Sequence, residues 1–163
     1  MKMPRLALAV LIVVASPAWS QQQAFQDEPP IVGTWTLNSD KSNVRLPPGS
    51  VEIRQYSMRQ DGFLVGLLIT GSPRGYHYLQ FVAKRDGKDY PEYSDQIVGE
   101  LVAANTPTPR TYSETPIDEY VTAWIDKVNG RITAQGKKIV SKDRTTLTIT
   151  VDGSSSIRVY DRQ

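Results

Sequence analysis

From Ile31 onward, apolar and polar positions alternate in short runs closed by Asp-Gly, Asn-Gly or Pro-Gly pairs, and no stretch shows a 3.6-residue period. That pattern predicts antiparallel strands joined by tight turns. The runs are Ile31 to Leu37, Val51 to Gln60, Phe63 to Thr70, Tyr76 to Lys84, Asp118 to Lys127, Arg131 to Val140, Thr145 to Val151 and Ile157 to Asp161. In Val51 to Gln60 the apolar alternation slips near Arg54-Gln55, which predicts a β-bulge. Phe63 to Thr70 is the most apolar run and reads as covered on both faces. Residues 92–116, with Pro107, Pro109 and Pro116, break the rhythm and read as an irregular insertion. The fold class predicted is all-β: an antiparallel up-and-down barrel of roughly eight or nine strands, whose closure removes the exposed edges of an open sheet.

The first twenty residues follow a different pattern. Lys2 and Arg5 precede an unbroken apolar stretch, Leu6 to Ala15, and Ala18-Trp19-Ser20 places small residues at a signal-peptidase site. The stretch is shorter than the roughly 20 residues that span a bilayer as a helix. Residues 1–20 are therefore expected to be a signal peptide cleaved after Ser20, 21–30 a disordered leader and 31–163 the barrel domain, placing the protein in the periplasm or outside the cell. After cleavage no integral membrane segment is expected.

The 19 Lys and Arg residues exceed the 17 Asp and Glu in the whole chain. Removing Lys2 and Arg5 with the signal leaves equal numbers of each sign, so no basic footprint for nucleic acid remains. Basic pairs such as Lys137-Lys138 read as solvated strand ends. With no Cys there is no thiolate nucleophile or metal ligand, and with one His no ordinary zinc site. No metal and no cofactor are expected, and no phosphate loop, calcium loop or dinucleotide fingerprint is present.

Gly33-Thr34-Trp35 with Leu37-Asn38 and Lys41-Ser42, then Asp86-Gly87-Lys88-Asp89-Tyr90-Pro91, then Val140-Ser141-Lys142-Asp143 before Thr146-Leu147-Thr148-Ile149-Thr150, resembles small secreted bacterial proteins of the lipocalin-like, calycin type. Members of that group are of largely unknown function, so the resemblance implies a barrel rather than an activity. It also implies barrel closure by Gly33 and Trp35, with an Arg of the last strand over the indole ring. Arg158 is the candidate for that role and Arg131 the alternative. The Thr-Asp-Tyr signature of lipocalins is missing.

The favoured function is binding of a small apolar or amphipathic molecule inside the barrel. Met58, Leu67, Ile69, His77, Leu79, Phe81 and Trp124 are the expected lining, with His77 as one polar contact on an apolar face. Two other classes are weighed. One is a structural or protein-interaction barrel with a filled interior, to which Tyr90, Tyr93 and Tyr112 would bring aromatic contacts. The other is a cofactor-free periplasmic enzyme using His77, the sole base with an ordinary pKa near neutrality.

Overall fold

The computed structural model describes residues 28–95 and 108–163. The expected signal peptide, the leader up to residue 27 and the middle of the expected insertion lie outside the described residues. Ten strands follow in order: β1 Gly33–Leu37, β2 Val51–Met58, β3 Leu64–Ser72, β4 Gly75–Ala83, β5 Tyr90–Ser94, β6 Arg110–Pro116, β7 Val121–Val128, β8 Arg131–Val140, β9 Thr146–Val151 and β10 Ile157–Arg162. Each pairs antiparallel with its neighbour in sequence, and β10 returns to β1 to close the barrel. Among the described residues no helix is long and apolar enough to cross a membrane.

The barrel thus has ten strands rather than eight or nine, and the additional pair, β5 and β6, lies inside the segment read as an insertion. Their inward positions carry Glu92, Arg110, Tyr112 and Glu114 in place of aliphatic residues, so the alternation that marks a half-buried strand is there but inverted in polarity. β2 has no bulge. It pairs with β3 without interruption from Val51↔Gly71 to Met58↔Leu64. The apolar slip has another cause: Val51 and Ile53 face outward, while Glu52, Arg54, Tyr56 and Met58 face inward. The register shift in this barrel occurs instead in β7, between Asp126 and Lys127.

One end of the barrel is plugged by Trp35, which is fully buried and donates from Nε1 to the Ile31 carbonyl at 2.8 Å. An arginine covers its ring, as the resemblance implies, but it is Arg162 and not Arg158: the Arg162 Cζ lies 4.2 Å from the ring centroid. Register explains the exchange, because Trp35 stands opposite Arg162 across the β1–β10 pair. Arg158 is four residues away along the strand, roughly 13 Å at the usual rise, and approaches Glu52 instead, at 3.7 Å. Arg131 is exposed. The Arg162 guanidinium also donates to the carbonyls of Pro30 (2.6 Å) and Val32 (2.8 Å), tying the last leader residues to the barrel. Gly33 makes room for it, since a Cβ there would stand 2.4 Å from Arg162 Nη1.

Candidate functional site

The barrel interior holds a cavity of about 90 Å³. Its apolar wall is Leu68, Leu79, Phe81 and Ile149, and its polar wall is Arg54, Glu92, Tyr112, Trp124, Asp126 and Lys138. Water in bulk occupies about 30 Å³ per molecule, so the space suits a group of a few heavy atoms and not a long acyl chain.

The strand pairings place these residues on one face. Arg54↔Leu68↔Leu79 and Gly66↔Phe81↔Glu92 run across β2 to β5, while Tyr112↔Asp126 and Lys138↔Ile149 complete the ring from β6 to β9. Phe81 lies flat against Gly66, where a Cβ would come 2.2 Å from its ring. On its other side Phe81 stacks on Tyr112 with centroids 3.8 Å apart.

Of the residues expected to line a pocket, Leu79, Phe81 and Trp124 do so. Met58 packs against the core at the end of β2 and does not reach the cavity. Leu67 and Ile69 are on the outer face, because β3 turns Leu64, Gly66 and Leu68 inward and every neighbour by one residue outward. His77 shares the face of Leu79 and Phe81, but it sits where β4 runs past the end of β5, with its side chain 61% exposed. There its Nδ1 pairs with Asp95 Oδ2 at 2.7 Å, and Asp95 also accepts the Tyr78 amide. The hydrogen bond to His77 is the main influence holding the Asp95 carboxyl below its ordinary range. No hydroxyl among the described residues hydrogen-bonds the imidazole.

Charged residues at the centre of the barrel are what the sequence pattern conceals. Lys138 is 3% exposed and not a solvated strand end; only Lys137 of that pair faces solvent. Its ammonium donates to the Tyr112 hydroxyl at 2.5 Å and to Glu114 Oε2 at 3.3 Å, and stands 4.6, 5.2 and 4.9 Å from the rings of Tyr56, Phe81 and Tyr112. Tyr112 donates to Glu114 Oε2 at 2.5 Å, and Arg85 donates to Glu114 Oε1 at 3.0 Å. Burial, then the Glu114 charge, push the Tyr112 phenol well above its ordinary value, so it keeps the proton it donates. A second cluster joins Tyr160, which donates to Glu52, with Arg54, whose Nε donates to Tyr160 at 2.8 Å. Each of these ions has partners, as a buried charge requires.

The third group is incompletely matched. Glu92, on β5, accepts from Arg110 Nε at 3.0 Å through Oε2, but its buried Oε1 has no partner among the described residues. The buried Trp124 Nε1–H has none either, and no described side chain hydrogen-bonds the Asp126 carboxylate. All three residues face the cavity. Burial first, and the Asp126 charge second, push Glu92 up to about 7 against the opposing pull of Arg110; burial also raises Asp126.

This sets a pH dependence. The folded state holds the Glu92 proton more tightly than the unfolded chain, whose value is 4.5. Stability linked to this group is therefore fully present below about pH 4.5, declines as pH rises to about 7 and is flat above that. The expected loss across that window is on the order of 1–3 kcal/mol, and Glu92→Gln is expected to flatten most of it. Urea midpoints of both proteins between pH 5 and 8 measure it, and an unchanged slope in Glu92→Gln would refute the assignment.

No family model matches the sequence, and no curated protein matches it. Solved structures do resemble the fold. The wild-type fluorescent protein UnaG superposes with a TM-score of 0.51 at 13% identity, covering 82% of this chain and 97% of that one. A single-residue mutant of UnaG gives 0.52 at 13% identity, covering 82% and 96%. At that identity the likeness is one of fold, an antiparallel closed β-barrel. Among the described residues no group of His, Cys, Asp and Glu could hold a metal ion.

Proposed function

We propose that the protein binds a small molecule in the barrel interior, with a polar end on Glu92, Asp126 and Trp124 and an apolar part on Leu79 and Phe81. The observation that carries this reading is the meeting of two buried, unpartnered polar atoms, Glu92 Oε1 and Trp124 Nε1, at one cavity. Natural interiors leave few such atoms unsatisfied, because each costs about 1–3 kcal/mol, and a guest that satisfies both recovers that cost on binding. The site is mixed in polarity and small, which favours the compact amphipathic kind of guest among those expected from sequence over a purely apolar one. A calycin-type fold is compatible with such a role.

The test is a screen of fragments of up to about six heavy atoms by proton–nitrogen correlation spectra, read at the Trp124 indole N–H, assigned with Trp124→Phe. Polar fragments are expected to shift that resonance at millimolar concentration, within the ceiling of about 1.5 kcal/mol per heavy atom for very small ligands. Silence of the indole up to 50 mM (roughly −1.8 kcal/mol) across the screen would sink the reading.

Export is part of the same proposal, supported by Lys2, Arg5, the Leu6 to Ala15 stretch and Ala18-Trp19-Ser20. Protein recovered from its own cells should have an intact mass lacking residues 1–20, and a full-length mass would contradict export with cleavage.

A further inference from the structure

The chemistry of the cavity wall narrows the guest further, on the premise that the interior is a binding site. Four formally charged groups face the space, Arg54 and Lys138 against Glu92 and Asp126, so the wall is balanced in sign. The two cations already have anions of their own outside the cavity wall: Arg54 has Glu52 and Lys138 has Glu114. Glu92 likewise has Arg110, so an anionic guest would meet no cation in need of it, and a cationic one would meet only Asp126, whose charge Lys138, Arg110 and Arg54 already offset in part; either would carry the desolvation cost of a buried ion. The unmet hydrogen-bonding positions are of opposite kinds. Glu92 Oε1 needs a donor, whereas Trp124 Nε1–H needs an acceptor. A purely apolar guest would leave both unmet.

We infer that the cavity accepts a neutral carboxamide-type group, its N–H donated to Glu92 Oε1 and its carbonyl oxygen accepting from Trp124 Nε1–H. An amide combines one strong donor and one strong acceptor on two atoms that share one carbon, with no net charge, and a primary amide has a second N–H that Asp126 can accept. The four or so heavy atoms of such a group suit the 90 Å³ available.

Four planar molecules of nearly equal size separate the possibilities: acetamide, acetate, acetamidinium and isobutene. Each is titrated at pH 8, above the value of about 7 for Glu92, so that Glu92 is ionised. The readout is the Trp124 indole N–H resonance of the purified protein. Acetamide is expected to bind at least about tenfold more tightly than the other three and to move the indole proton downfield, as formation of a hydrogen bond does. Glu92→Leu, read at that resonance, and Trp124→Phe, read instead at the backbone amides of Leu79 and Phe81, should each weaken acetamide by about tenfold, the usual worth of one buried hydrogen bond. Should either variant fold poorly, Glu92→Gln keeps the shape and Oε1 while removing the charge, and is expected to weaken acetamide by a smaller factor. If acetate, acetamidinium or isobutene binds most tightly, the amide assignment is overturned and interior binding stands. If none of the four binds and the fragment screen is also silent, both fall together.

Discussion

Glu114→Ala is expected to cost about 3–5 kcal/mol of folding stability, among the largest losses available to a single substitution in this barrel. The carboxylate is 1% exposed and joins three groups: Arg85 at Oε1, and Tyr112 and Lys138 at Oε2. Removing it leaves the Lys138 ammonium buried with the Tyr112 hydroxyl, the faces of three aromatic rings and the through-space charges of Glu92 and Asp126, but with no carboxylate in contact. Those rings contribute about 2 kcal/mol at most to a desolvated cation, less than the cost of an uncompensated charge. Restoring balance should restore stability: Glu114→Leu combined with Lys138→Met is expected to recover more than half of the loss, although Arg85 then turns to solvent. Denaturant midpoints for the single and double variants decide it, and a double variant as unstable as Glu114→Ala would mean that packing, and not charge, sets the cost.

Trp35→Ala is the second large effect, again about 3–5 kcal/mol, from the cavity left by a fully buried indole. Two further losses add to it: the Ile31 carbonyl loses its donor, and the Arg162 guanidinium loses the ring beneath it. Trp124→Ala removes a side chain of the same size that is also nearly buried. It should cost less, since the mutation deletes an N–H that has no partner among the described residues and lines the cavity. Thermal or urea unfolding of the two variants ranks them, and an equal or greater loss for Trp124→Ala would show that its indole N–H is satisfied in solution.

Much of the barrel is legible in turns and alternation, and the reasons for the misses are physical. Asn129-Gly130 and Asp152-Gly153 mark hairpins directly, because Asn129, Gly130 and Gly153 take left-handed backbone conformations that suit few other residues. β5 and β6 escape detection because periodicity is sought in apolar residues, while Glu92, Arg110 and Glu114 occupy the inward positions. Lys138 is hidden for the same reason, although Ala134, Gly136 and Val140 on its own face of β8 put it inside. Alternation locates Leu79 and Phe81 correctly by face. It cannot show that His77 lies beyond the end of the neighbouring strand, since that depends on where β5 stops. Leu67 and Ile69 are misplaced because an apolar strand with half-buried residues on both faces gives alternation nothing to distinguish. Arg162 cannot be told from Arg158 because the partner of Trp35 is fixed by register across the barrel, which no local pattern encodes.

The ring of pairings also orders how the chain comes together. Nine of its ten joins unite strands adjacent in sequence. The tenth, β1 to β10, brings together residues such as Val32 and Arg162 that are 130 positions apart. For an unstructured chain a closure of that length costs about 4 kcal/mol in loop entropy, recovered only after both strands meet. The barrel is therefore a curled meander with a single seam, and Trp35 and Arg162 are its clasp. Opened at that seam, the barrel is a sheet with two bare edges, the form in which a β-protein most readily pairs with its own copies.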